Sequence, residues 1–92
     1  MHLKMKPIEK PIRLSGHARE NIKYRGATED EVIDAIHNAP WGPAEQGRVE
    51  CQKDFAYGHE WNGKFYTTKR VRPIFVEELN EIVVVTVYVY YL

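Results

Sequence analysis

The sequence predicts an α+β domain: two N-terminal helices packed on one face of a three- to four-stranded antiparallel sheet. Three observations carry this. Two capped helical segments follow each other between residues 15 and 40, and an Asn62–Gly63 pair stands between aromatic-rich flanks. From Arg48 onward the chain reads as strand, with apolar residues alternating rather than recurring at helical spacing. Ninety-two residues make one domain, read as an arm over 1–14 and a single α+β unit over 15–92.

Pro7 and Pro11 exclude a helix from the arm, leaving a short edge strand near Ile12–Leu14. In "SGHARENIKYRG" Ser15 is an N-cap and Gly26 suits the left-handed residue that ends a helix, so the first helix covers Gly16–Arg25. Thr28 with Glu31 forms a capping box for a second helix, and Glu29, Asp30 and Glu31 suit the positive end of its dipole. Val32, Ala35 and Ile36 make its apolar stripe, and Pro40 stops it. The segment "APWGPAEQG" is a loop set by its prolines and glycines.

"EWNGKFY" predicts a two-residue type I′ hairpin. Its register sets Trp61 opposite Lys64, Tyr57 opposite Thr68, and Phe55 opposite Arg70. A second turn with Leu79–Asn80 at its tip sets Phe75 opposite Val84 and Val71 opposite Tyr88. Alternation then sorts two faces. Val49, Cys51, Phe55, Tyr57, Trp61, Ile74, Val76, Val83, Val85, Val87 and Val89 are expected beneath the helices. Asp54, Phe65, Thr67, Lys69, Val71, Thr86, Tyr88 and Tyr90 are expected on an open platform. Arg70 and Arg72 would fall on the helix-covered face, hence at its rim, unless a bulge shifts the register.

Thirteen basic and thirteen acidic residues cancel, but they are segregated. Residues 1–28 hold seven Lys or Arg against two acids, residues 29–63 hold eight acids against two bases, and residues 64–72 hold four bases and no acid. Such segregation suits one anion-attracting side or, equally, a mixed solvated surface. A single cysteine, Cys51, excludes an internal disulfide and reads as a small core residue. No secretory signal or apolar run of spanning length is present, so a cytoplasmic protein with no membrane partner is expected. No two histidines have metal-ligand spacing and one cysteine cannot build a zinc site, so no metal and no cofactor are expected. Phosphate-binding glycine loops and Gly-x-Ser-x-Gly turns are absent from the sequence.

His17 occupies the first helical turn, where the dipole opposes a positive charge, leaving a neutral ring available as a general base. On the helical wheel His17, Ala18, Asn21, Ile22 and Arg25 share one side, while Arg19, Glu20 and Lys23 point away. Either His17 and Arg25 are hydrogen-bonded for structural reasons or they line a site. Lys69 and Tyr88, with Thr86 and Tyr90 beside them, could hold a phosphate and stack a base, or form an ordinary cross-strand pattern.

"GHARENIKYRGATEDEVIDAI", "EWNGKFYTTKRVRPIFVEE" and "EIVVVTVYVYYL" together resemble the small bacterial domain-of-unknown-function family 4258 over most of the chain from residue 15. That family is similar to the RelE/ParE and barnase-like ribonuclease toxins. The resemblance implies a RelE-like fold and metal-independent RNA cleavage by 2′-hydroxyl attack, neutralised by a cognate antitoxin-like protein. His17 and Arg25 match the family's helix motif, Lys69 its central-strand lysine, and Thr86 and Tyr88 its last strand. On this basis His17 is the base or acid, Arg25 and Lys69 steady the phosphorane charge, and Tyr88 donates a proton or stacks a base. Arg19, Arg70, Arg72, Thr86 and Tyr90 are the further RNA-binding candidates. A homodimer through the tyrosine-rich end is the other partner expectation. The rival reading is a non-catalytic interaction module of the same fold, favoured by the zero net charge. RNA chemistry on this face needs the platform open and the Lys69 ammonium free on it.

Overall fold

Both helices form between the caps that the sequence supplies. The structure, a computed structural model, describes residues 10–92; residues 1–9, which hold most of the expected arm and Pro7, lie outside the described residues. The Ser15 side chain accepts from the Ala18 N–H, and Gly26 ends helix α1 (Gly16–Arg25) with φ 83°. Thr28 and Glu31 exchange both capping-box hydrogen bonds at the start of α2 (Glu29–Asn38). The strands are β1 (Ile12–Leu14), β2 (Gly42–Pro43), β3 (Val49–Glu50), β4 (Lys53–Trp61), β5 (Lys64–Glu77) and β6 (Ile82–Tyr91), with a short 3₁₀ turn at Glu45–Gly47. Among the described residues no helix is long and apolar enough to cross a membrane.

The architecture is α+β, but the sheet has six strands and is mixed, not three or four and antiparallel. The fourteen-residue β5 is its spine. β6 lies along one edge of β5, while β3 and β4 share the other edge in succession. The two end strands are short, and β1 is the edge strand expected near Ile12–Leu14. β1 adds to β6 in parallel, Ile12 opposite Ile82, and β2 pairs with β3. α1 packs along β6 and α2 along β5 on the same side of the sheet. Val32, Ala35 and Ile36 of α2 are buried against Val71, Phe75, Ile82, Val84 and Val87. Full burial of a Val or Ile side chain contributes about 1.5–3 kcal/mol, so α2 is held by its stripe. α1 buries only Ala18 and Asn21 and depends on polar anchors as well.

Both hairpin turns sit where expected, yet each register slips by one residue. Trp61 faces Lys64 and Phe75 faces Val84 as the turns dictate. Beyond Gly58, at φ 69°, two β4 residues oppose one on β5, so Ala56 rather than Tyr57 faces Thr68, and Phe55 faces Lys69. On the other edge, Thr67 and Thr68 both donate to the Leu92 carbonyl, which marks a bulge in β5. β6 has its own bulge at Val85, so Tyr88 faces Arg72 rather than Val71.

Each bulge exchanges the two faces for every residue beyond it. Lys69 and Val71, expected on the open platform, are instead buried on the helix side at 6% and 0% exposure. Ile74, Val76 and Val83, expected under the helices, alternate to the open side, as do Arg70 and Arg72. Lys69 pairs with Glu31 of α2 at 3.0 Å, donates to the Gly26 carbonyl at 2.9 Å, and lies 5.5 Å from the Tyr57 ring centroid. Above it, Trp61 stacks on Tyr91 and both close on Gly26, where a β-carbon would not fit. The Tyr91 hydroxyl donates to the Arg25 carbonyl at 2.6 Å; burial, then Tyr57 and Glu31, pushes its pKa up to about 12. Cys51 is a buried core residue whose thiol burial and Glu50 push up to about 12.

Stranding a buried charge costs more than stranding one that can reach water, and the Lys69 side chain is 8% exposed against 21% for Glu31. Glu31→Ala is therefore expected to lower unfolding free energy by about 3 kcal/mol, since it also dismantles the α2 cap. Lys69→Met should cost less than about 1.5 kcal/mol, because Glu31 lies near the rim and can turn to water. Urea unfolding of the two variants checks the order.

Candidate functional site

The sheet face turned away from α1 and α2 is covered by no described helix, and the residue 43–48 turn borders one end of it. It collects Arg70 and Arg72 from β5 and Thr86, Tyr88 and Tyr90 from β6, residues that the bulges bring to one side. Tyr88 and Tyr90 are 40% and 41% exposed. Arg72 stands opposite Tyr88, its guanidinium carbon 5.4 Å from the ring centroid. The same guanidinium donates to Glu50 at 2.6 Å and to the Tyr90 hydroxyl at 3.2 Å. Glu50 first, then Tyr90, raises its already high pKa. Arg70 makes a two-pronged bond to Asp54 at 2.7 and 3.1 Å, and that bond holds the Asp54 carboxyl below the usual carboxylate range.

Arg25 joins this group around the edge of the sheet. β1 covers β6 only as far as Val84, so the outward N–H and C=O of Val87 need other partners. α1 supplies both. The Val87 N–H donates to Asn21 Oδ1 at 3.0 Å, and Arg25 Nη1 donates to the Val87 carbonyl at 2.8 Å. From that anchor the Arg25 guanidinium carbon lies 5.5 Å from the Tyr88 ring centroid. Tyr88 thus has a guanidinium from the helix and another from the neighbouring strand.

Of the proposed catalytic set, Arg25 and Tyr88 come together, and Arg72 joins them. Lys69 does not: it lies beneath α2 in its ion pair, on the other side of the sheet. His17 is exposed in the first turn of α1, eight residues and roughly 12 Å along the axis from Arg25. Arg19 also stands apart, pairing with Glu29 at 3.3 Å. Among the described residues no three His, Cys, Asp or Glu side chains are grouped as metal ligands.

Beside Tyr88 lies a cleft of about 540 Å³ lined by Arg48, Glu50, Arg72, Ile74, Thr86, Tyr88 and residues 43–46 of the adjoining turn. In the sequence that turn falls within the loop "APWGPAEQG", and Asn21 is marked only as a helix-wheel neighbour of His17. Gly58 inside a strand was the one legible mark of a bulge.

Asn21→Ala leaves the buried Val87 N–H without an acceptor, a loss of about 1–3 kcal/mol. Faster hydrogen exchange at Val87 than at Val71, together with a lowered urea midpoint, is the expected outcome. Compared with protein-family models, curated proteins and solved structures, the chain matches none of them.

Proposed function

We propose that the chain is an endoribonuclease of the RelE/ParE type that binds single-stranded RNA on its open sheet face. The observation that carries the reading is Tyr88, exposed and set within 5.5 Å of the Arg25 and Arg72 guanidinium carbons. Fixed guanidinium groups suit a dianionic phosphorane, where charge grows as the 2′-oxygen attacks. The P–O5′ bond breaks as the P–O2′ bond forms, giving a 2′,3′-cyclic phosphate and a 5′-hydroxyl. One proton leaves the 2′-hydroxyl and one reaches the 5′-oxygen, with the hydroxyl of Tyr88, whose ring both guanidinium groups flank, as the carrier. A cognate antitoxin-like protein covering this face belongs to the same reading. The expected requirement of a free Lys69 on the platform is not met, because its ammonium is paired with Glu31 beneath α2, so this reading rests on Arg25, Arg72 and Tyr88 without it.

A second reading has its own observation. Asp54 and Glu50 already engage Arg70 and Arg72, so two of the floor's cations are neutralised within the chain. That balance suits a non-catalytic interaction module, for which phosphate affinity is weak.

Cleavage of a single-stranded RNA in EDTA separates the two. Tyr88→Phe and Arg25→Ala should each lower the rate by about 10²-fold or more, whereas Lys69→Met should leave the rate of the folded protein unchanged. His17→Ala should fall short of that loss, given its distance along α1. Full activity in Tyr88→Phe and Arg25→Ala, or no cleavage by the wild type, refutes the assignment. Asp54→Asn releases Arg70 and should tighten RNA binding, steepening the logarithmic salt dependence by about 0.7. Lowering the pH acts in the same direction: the Arg70 bond is intact above the ordinary Asp value and is lost as pH falls through the depressed one.

A further inference from the structure

Arg25 reaches Tyr88 from a helix end that little apolar packing holds, since α1 buries only Ala18 and Asn21. β6 supplies the missing hold. Tyr88 is exposed on the open face, whereas Tyr91 turns to the helix side, where its hydroxyl donates to the Arg25 carbonyl at 2.6 Å. That carbonyl is among those a helix leaves without an internal partner at its C-terminal end. Gly26 follows in the left-handed conformation at φ 83°, and the Gly26 and Ala27 N–H groups both return to the Ile22 carbonyl, at 2.9 and 3.2 Å. The Tyr91 ring is itself fixed. It stacks on Trp61 with 4.8 Å between centroids and 15° between planes, and Tyr57 and Tyr66 lie 5.2 and 5.7 Å away. All three neighbours belong to the β4–β5 hairpin.

We propose that Tyr91 is a positioning residue for Arg25, a strut from the hairpin to the helix end that sets how the guanidinium stands against Tyr88. For its effect on rate the inference rests on the open face being the cleaving surface; its effect on Arg25 is independent of that. Two bonds from β6 fix the arginine. Tyr91 holds its carbonyl, and the Val87 carbonyl accepts from Nη1 at 2.8 Å. Tyr88 lies between these two strand residues, its ring centroid 5.5 Å from the guanidinium carbon. Without the Tyr91 bond the guanidinium is tethered only at the far end of a flexible stem and swings about the Val87 carbonyl. A misplacement of about 1 Å is enough to slow a reaction that depends on alignment. The Tyr91 hydroxyl lies on the other side of the sheet from the Tyr88 ring, so it acts through Arg25 and touches no reacting atom. Lys69 donates to the next carbonyl, that of Gly26, at 2.9 Å. It braces the same turn beyond the arginine and serves as the control.

The test sets Tyr91→Phe, which keeps the ring and its stack, beside Lys69→Met in the whole isotope-labelled chain. The Arg25 Nε–Hε signal and the Tyr88 ring signals report the guanidinium against the ring with no RNA present. Tyr91→Phe should displace both, and Lys69→Met should leave both in place. On a single-stranded RNA in EDTA, Tyr91→Phe should lower kcat about tenfold with KM held within about twofold. In an Arg25→Ala background the same substitution should lower kcat less than about twofold, because the group it positions is gone. Unmoved Arg25 signals in Tyr91→Phe, an equal displacement in Lys69→Met, or an equal loss of rate in both backgrounds would overturn the strut. The two inferences fail separately. Displaced signals in a chain that cuts no RNA uphold the strut and remove the nuclease, and cleavage with unmoved signals does the reverse.

Discussion

Three extra residues in the sheet decide which chemistry faces water. At Gly58 in β4, at Thr67–Thr68 in β5 and at Val85 in β6 a strand carries one residue more than its neighbour, and alternation beyond each exchanges inside for outside. Without the β5 bulge Lys69 would stand on the open face, and Arg70 and Arg72 would press against α2. With it the compact cation goes under the helices, where Glu31 and the Gly26 carbonyl satisfy it, and the planar guanidinium groups go outward. The packing follows: Val71 and Phe75 of β5 and Val84 and Val87 of β6 share one core beneath the two helices because β5 and β6 are offset in this way.

That dependence explains what was legible in the sequence. Caps and turns are local, written in residues that touch one another, so Ser15, Gly26, the Thr28–Glu31 box and the Asn62–Gly63 turn placed both helices and the long hairpin correctly. The late residues of β6, Thr86, Tyr88 and Tyr90, were also assigned to the correct face. Faces read by counting from a turn fail at the first bulge, and a bulge at two threonines has no composition of its own. Lys69 was misplaced for this reason, and the same slip hid the grouping of Arg72 with Tyr88. The short edge strand expected near Ile12–Leu14 is β1, whereas β2 escapes the count because two residues pair only where a neighbour is already in place.

The open face is less positive than its arginines suggest. Asp54 and Glu50 hold the two β5 guanidinium groups in chosen orientations, and neither pair is deeply buried, so their Coulomb energy is modest and screened by salt. Their larger effect is geometric. Arg72 is steered between Glu50 and Tyr90, which keeps it beside Tyr88 and against the cleft wall. Under the proposed nuclease reading, a phosphate arriving there meets a positioned donor that is already partly neutralised. Affinity is then given up for orientation, which that reading needs for charge that develops during reaction.

Arg25 and Arg48 have no carboxylate partner within 4.0 Å among the described residues, and Arg25 depends on the sheet edge. On its β1 edge β6 has no neighbouring strand beyond Val84 among the described residues, and an uncovered edge invites another chain to add to it. Asn21 and Arg25 meet that hazard with side chains, one accepting from Val87 and the other donating to it. The contact that blocks the edge is also the one that carries a guanidinium from the helix side to the open face. Stability and site are therefore coupled at Val87: loosening α1 exposes the edge and withdraws Arg25 from Tyr88 together. A helix with little apolar surface of its own remains in place because the strand beneath it has backbone groups that nothing else satisfies.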